Sequence, residues 1–240
     1  MRKSNIRAKM TAGEKGIGFG ITFPSVEMFD IVGHLGFDYA HLDAEHGVFD
    51  FGDVEDMCRI ADMHNMTCTA RIPNIDSSTI LRFLDRGIMG ILAPHISNRD
   101  EAEQAARACR YGPEGERSFG TGRGRDYGLR KPPAEYMAEF NHEMVLGVQI
   151  ETAEGVEKID EILEVDGIDY ITFGPADLAQ SLGHPGDAGH ADVQAAMESV
   201  RQRVRGAGRL MSEDVMEAMN FVMWMPPLLE QWLENAKSSN

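Results

Sequence analysis

Short apolar runs and longer stretches of helical spacing take turns along most of this chain. Ile17 to Phe23, Tyr39 to Leu42, Thr67 to Ile72, Gly90 to Ile96, Met144 to Ile150 and Tyr170 to Phe173 read as strands, each brief, β-prone and bounded by turn residues. Between and after them, Val26 to Leu35, Gly52 to His64, Ser77 to Arg86, Arg99 to Arg110, Val156 to Leu163 and Ala191 to Ala207 carry helical spacing. Pro24-Ser25 opens the first of these helices and Asp76 stands at the N-cap of the third. Repeated βα units predict an α/β fold, and six clear units with two weak ones point to a (β/α)8 barrel. No shift in composition and no linker divides residues 1–240, which read as one domain.

Several of the strand patterns stop in a charge. Met144 to Ile150 ends in Glu151, Tyr170 to Phe173 runs into Gly174-Pro175-Ala176-Asp177, and Tyr39 to Leu42 ends in Asp43-Ala44-Glu45-His46. The third strand carries Arg71 at its end. A barrel gathers such residues around its mouth, whereas an open sheet concentrates them at one switch point. Gly16-Ile17-Gly18-Phe19-Gly20 lies in or before a strand and lacks the context of a dinucleotide loop.

Glu151 and Asp177 are each, taken singly, ordinary acids at the start of a helix. Together they form a hard anionic pair suited to Mg²⁺ or Mn²⁺. Arg71, between apolar neighbours, needs an anionic partner: a substrate oxygen, or else Glu45 or Asp43. His46, beside two acids, has the setting of a general base oriented by a carboxylate; the alternative is a solvent-facing loop histidine, the reading given to His34, His64 and His142. The backbone of Gly174-Pro175-Ala176-Asp177 either cradles a carboxylate, with Pro175 giving no N–H, or is a plain βα turn. The Gly- and Arg-rich segment from Tyr111 to Pro133 has neither period and reads as a functional loop.

Composition narrows the class. A formal net charge of -16 argues against a nucleic-acid partner. No apolar run approaches the length of a membrane span, and no apolar stretch follows the basic Met1 to Lys9 to make a signal peptide. Cys58, Cys68 and Cys109 are odd in number and lack C-x-x-C spacing, so they read as buried reduced thiols in a cytoplasmic protein.

The runs GFDYAHLDAEHG, ARIPNIDSSTILRFLDRGIMGILAPHI, RYGPEGERSFG, VLGVQIETAEGVEKIDEI and ITFGPADLAQSLGHPG together resemble the HpcH/HpaI aldolase family over roughly Gly16 to Val204. That family comprises metal-dependent pyruvate aldolases, related in fold to citrate lyase β subunits and malyl-CoA lyases. The resemblance implies Glu151 and Asp177 as ligands of a divalent ion (Mg²⁺, Mn²⁺ or Co²⁺). It implies Arg71 as the contact to the pyruvate oxygen, and His46 as a base paired with Asp85 across a subunit interface. Asp43 and Gln149 become water- and substrate-positioning residues, and Gly174, Pro175 and Ala176 the carboxylate pocket. The implied reaction joins pyruvate or hydroxypyruvate to a small aldehyde, through an enolate held on the metal, to give a 4-hydroxy-2-oxo acid, and reverses it. No lysine stands at a strand end for a Schiff base. The competing readings are a CoA-ester lyase, with Arg117 to Arg130 as its phosphate surface, and a non-catalytic binding protein. Relatives exchange their last helix and assemble as hexamers of two trimers. After Val204 the chain departs from the pattern, so a shortened or irregular seventh unit is expected, with an eighth strand at Phe221 to Met225 and Pro226-Pro227 opening the last helix.

Overall fold

The fold is taken from a computed structural model that describes residues 3–238; the first two residues of the basic N-terminal stretch lie outside them. Seven strands, β1 (Gly16–Ile21), β2 (Tyr39–Asp43), β3 (Thr67–Arg71), β4 (Gly90–Ala93), β5 (Val145–Ile150), β6 (Tyr170–Phe173) and β7 (Met216–Asn220), form one parallel sheet. Its order is β6-β5-β4-β3-β2-β1-β7, and it curls in the manner of a TIM barrel. The helices along the first half are α1 (Asn5–Ala12), α2 (Val26–Leu35), α3 (Phe51–Met63), α4 (Ser77–Arg86), α5 (Arg99–Cys109) and α6 (Pro133–Glu143). They are followed by α7 (Ala153–Glu157), α8 (Ile159–Leu163), α9 (Pro175–Ser181), α10 (Ala191–Gly206), α11 (Ser212–Val215) and α12 (Phe221–Ser238).

Period-two alternation explains why apolar strands carry chemistry. In β2, Ala40 and Leu42 face outward into the core beneath the helices, while Tyr39, His41 and Asp43 face the bore. In β3, Cys68 and Ala70 face out, and Thr69 and Arg71 face in. The outer layer therefore supplies burial and the inner layer is free to be polar. Glycines make room inside: a Cβ on Gly147 would lie 2.1 Å from Cζ of Tyr170, and one on Gly18 would lie 2.0 Å from Cζ of Tyr39.

The N-terminal end of the sheet is closed by α1, a helix the sequence reading missed. The Ser4 side chain caps it, accepting from Arg7 N–H, and Ile6 is buried against Tyr39, Val145, Tyr170 and Val215. Lys3 and the Ser4 N–H both bind Glu143, and Arg7 pairs with Asp169 at 2.7 Å. The loop after α5 is similarly tied down. Arg117 is buried on Asp85 and over the rings of Tyr111 and Phe140, and Arg123 binds Asp62 and the Arg86 carbonyl.

Beyond α10 the chain makes a single parallel bridge to the sheet, Met211 with Ile171, then one short helix, α11, before β7. The strand expected at Phe221 to Met225 is not there: the strand is Met216–Asn220, paired with Gly16 to Gly20, and Phe221 begins α12. The side chain of Asn220 accepts from Val222 N–H at 3.1 Å, which turns the chain into the helix. Pro226 and Pro227 lie inside α12 instead of opening it. At the N-cap of α4, Asp76 makes no side-chain cap bond.

Two glycine substitutions should act oppositely. Gly147→Ala, driven into the Tyr170 ring, should lower stability by about 1–3 kcal/mol. Gly206→Ala, at the end of α10 with open space around it, should raise stability by about 0.5 kcal/mol. Urea denaturation measures both, and equal midpoints would refute the packing account.

Candidate active site

At the C-terminal end of the sheet lies a cavity of about 410 Å³, lined by His46, Asp43, Arg71, Gln149, Gly174, Pro175, Ala176 and Asp177 among others. Eight of the ten residues singled out in the sequence therefore share one cavity. Glu151 lies against its wall, in contact with Gln149 beside Gly174. Asp85 does not line it: on α4 it accepts from Arg117 at 2.9 Å. A larger groove of 670 Å³ beside α4 and α5 is lined by Asp100, Glu103, Arg107 and Glu116 among others, with Arg107 paired to Glu116, and holds none of those ten residues.

Register fixes the central pair. Asp43 and Arg71 are opposite each other on β2 and β3, so the two side chains meet directly. Nε of Arg71 donates to Oδ1 of Asp43 at 3.0 Å and Nη2 to Oδ2 at 2.5 Å, a bidentate ion pair. Nη1 of the same guanidinium stands 3.1 Å from Oε2 of Glu45. Burial disfavours the charge on Asp43, yet Arg71 and the His46 N–H hold its carboxyl below the ordinary value.

Glu45 is joined to Glu151 through a residue that sequence reasoning did not find. His95 follows β4 in a left-handed conformation, φ 55°. Its Nε2 lies 2.9 Å from Oε1 of Glu45, and its Nδ1 lies 3.0 Å from Oε1 of Glu151. The His95 N–H also donates to that Glu151 oxygen at 2.7 Å, and Nε2 of Gln149 donates to the other at 2.6 Å. In the sequence His95 falls inside the run Gly90 to Ile96 read as a strand, whereas β4 stops at Ala93 and leaves His95 in the loop beyond it. His46 itself is largely exposed, 3.8 Å from Glu45.

Glu151 is 1% exposed. Burial pushes its carboxyl above the ordinary value; the N–H and ring of His95 oppose this, while Glu45 and Asp177 add to it. A buried carboxylate repelled by two others is a setting that a divalent cation relieves, so the donor set fits a metal. The ligand atoms of Glu45, His95 and Glu151 lie within 4.8 Å of one another, and Asp177 shares the cavity. Gly174 keeps the approach open, since a Cβ there would sit 1.9 Å from Oε2 of Glu151. Two other groups of ligand type, Asp30 with His34 and His64, and His184 with His190 and Asp192, lie apart from the cavity.

The family model for HpcH/HpaI aldolase/citrate lyase covers residues 22–225. The chain belongs to that family. Among its relatives in the family, a 2-keto-3-deoxy-L-rhamnonate aldolase from Klebsiella pneumoniae is 37% identical over 82% of this chain and 73% of its own length. A hydroxypyruvate/pyruvate aldolase from Roseovarius nubinhibens is 32% identical over 86% of this chain and 80% of its own. The crystal structure of a family protein from Burkholderia cenocepacia superposes with a TM-score of 0.89, at 26% identity, over 98% of this chain and 99% of that one.

One titration follows from the bore. Burial pushes His41 down to about 4, with Asp43 opposing and Arg71 assisting; its Nδ1 is 2.9 Å from the Thr69 hydroxyl. A histidine kept neutral in the fold binds its proton more readily when unfolded. Stability should therefore fall as pH drops from about 6.5 to about 4. His41→Gln should flatten that part of the stability–pH curve measured by urea denaturation; an unchanged slope would exclude His41 as its source.

Proposed function

We propose that this protein is a class II, metal-dependent aldolase that joins pyruvate or hydroxypyruvate to a small aldehyde, forming a 4-hydroxy-2-oxo acid, and catalyses the reverse cleavage. The observation that carries the reading is the convergence of Asp43, Arg71, Gln149, Glu151 and Asp177 at one end of the sheet, with Gly174 leaving space beside Glu151. The names of the relatives, aldolases of pyruvate, hydroxypyruvate and a 2-keto-3-deoxy sugar acid, support the same chemistry.

In this reading Glu151 and Asp177 hold Mg²⁺, Mn²⁺ or Co²⁺. The ion supplies Lewis acidity toward a 2-oxo acid. Arg71, held flat by Asp43, presents a fixed positive charge where the keto oxygen becomes negative. Gln149 orients Glu151 by its hydrogen bond, and the backbone of Gly174, Pro175 and Ala176 lines the end that takes the carboxylate. His46, at the rim, moves the proton on the aldehyde-derived hydroxyl, with Asp85 of a neighbouring subunit as its partner. A CoA-ester lyase draws less support, because Arg117 and Arg123 of its expected phosphate surface are buried in ion pairs.

We further propose that residues 1–240 act as a single barrel domain whose seventh unit is reduced to Met211 and α11. In this proposal α12 packs on a neighbouring subunit of a hexamer of two trimers. The support is that α12 buries none of its residues within the chain and exposes Met223, Trp224, Leu228, Leu229 and Trp232. The buried free thiols of Cys58, Cys68 and Cys109 suit the cytoplasm, and no helix among the described residues is long and apolar enough to cross a membrane.

The deciding assay follows aldol formation from pyruvate or hydroxypyruvate and small aldehydes with metal-stripped protein, then with Mg²⁺, Mn²⁺ or Co²⁺ restored. Activity should vanish on stripping, return with metal, and be lost in Glu151→Gln; turnover indifferent to chelation would end the metal reading. Arg71→Lys, which loses the two-pronged contact to Asp43, should lower kcat/KM by about 100-fold or more. His95→Ala should weaken metal affinity, read by calorimetry without substrate, by about 10-fold. Unchanged affinity would remove His95 from the support of Glu151.

A further inference from the structure

At the end of the sheet where the strands begin, opposite the catalytic cavity, two helices bring together three side chains of ligand type. Asp30 and His34 lie one turn apart on α2, and His64 stands at the C-cap of α3. The sequence reading put both histidines in solvent-facing loops; instead they meet edge to face, with ring centroids 4.6 Å apart. Each offers one ligand atom, as does Asp30, and the three atoms lie within 4.8 Å of one another.

Hydrogen bonding accounts for only part of this group. Nε2 of His64 lies 2.7 Å from Oδ1 of Asp30, a bond that ties α3 to α2. Nε2 of His34 stands 3.9 Å from the same oxygen, too far for a hydrogen bond. The ligands of a tetrahedral ion of zinc size, each about 2.0–2.1 Å from it, stand about 3.3 Å apart. The two observed spacings bracket that value. Gly33 sets the approach of the helices: a Cβ there would lie 2.3 Å from Cγ of His64. The ring therefore rests on bare backbone of α2, at a helix position where glycine is otherwise unfavourable. The setting also suits a cation. His34 lies in the last turn of α2 and His64 at the end of α3, where helix dipoles are negative.

We propose that Asp30, His34 and His64 form a metal site separate from the catalytic one, which takes an ion of the zinc type and joins α2 to α3. Two imidazoles and one carboxylate suit Zn²⁺, Ni²⁺ or Cu²⁺, whereas the carboxylates Glu151 and Asp177 suit Mg²⁺ or Mn²⁺. His64 is largely buried, while Asp30 and His34 are open to solvent. That exposure gives the ion a way in and leaves water as its fourth ligand. An ion that binds only the folded chain stabilises it, here by pinning the ends of two successive helices. The site owes nothing to the aldolase reading and stands or falls apart from it.

The test titrates Zn²⁺ into the full chain, stripped of metal, in competition with a chromogenic chelator. Wild type should bind one ion more per chain than His34→Ala or Asp30→Asn, and Glu151→Gln should keep that ion. His34 is largely exposed and alanine suits a helix, so the first variant should fold. Urea denaturation then measures the effect of Zn²⁺ held at about 100 times its dissociation constant for this site. The folded-to-unfolded ratio should rise about 100-fold more in wild type than in His34→Ala. Equal zinc binding by wild type and His34→Ala would overturn the proposal, as would an equal zinc-induced gain in stability. Zinc binding abolished altogether by Glu151→Gln would place every ion in the catalytic cavity and overturn it too.

Discussion

The chemistry of this fold depends on an imbalance of charge. Asp43, Glu45, Glu151 and Asp177 gather at one end of the sheet around one guanidinium, Arg71. Each buried carboxylate costs several kcal/mol unless a cation or hydrogen bonds compensate it. Arg71 answers two of them and Gln149 and His95 brace a third, which leaves the cluster short of positive charge. That deficit gives a divalent ion a reason to bind, and it keeps Arg71 charged and fixed. The outer face of the strands makes the arrangement sustainable, because Ala40, Leu42, Cys68, Ala70, Val148 and Ile150 supply the burial that the inner face does not.

Much of this was legible because strands alternate. Runs that end in Asp43, Arg71 and Glu151 leave each acid or base on the inner face at the same end, and parallel pairing brings Asp43 level with Arg71. The family resemblance supplied the grouping of Gly174 to Asp177 with them. His95 was not legible in the same way. Its role depends on a left-handed backbone after β4, and a histidine gives no strong signal for that conformation. Glu45 was legible only as one partner among several for Arg71, since nothing in the chain reports the ring that links it to Glu151.

Elsewhere the misses have local causes. The helix α1 has one deeply buried anchor, Ile6, and is held largely by contacts to Thr67, Glu143 and Asp169, far off in sequence. Similarly, α6 begins where a Gly- and Arg-rich loop obscures the start of its apolar pattern, whose buried members are Tyr136 and Phe140. At the C-terminus, apolar residues from Phe221 onward suggested a strand, but they recur at helical spacing once Trp232 and Leu233 are included. The strand that does form, Met216–Asn220, carries Glu217 and Asn220 and has little apolar signature of its own.

The position of α1 bears on the order in which the chain assembles. Its anchors are the first described residues to leave the ribosome, yet Lys3 waits for Glu143, and Arg7 for Asp169. Contacts that span so much chain are slow to form, because the entropy of closing the intervening loop must be met before they contribute. The floor of the barrel is thus sealed only after β5 and β6 are synthesised. Until then Ile6 and Tyr39 lack the residues that bury them, and they leave a sticky apolar surface on a nascent half-barrel.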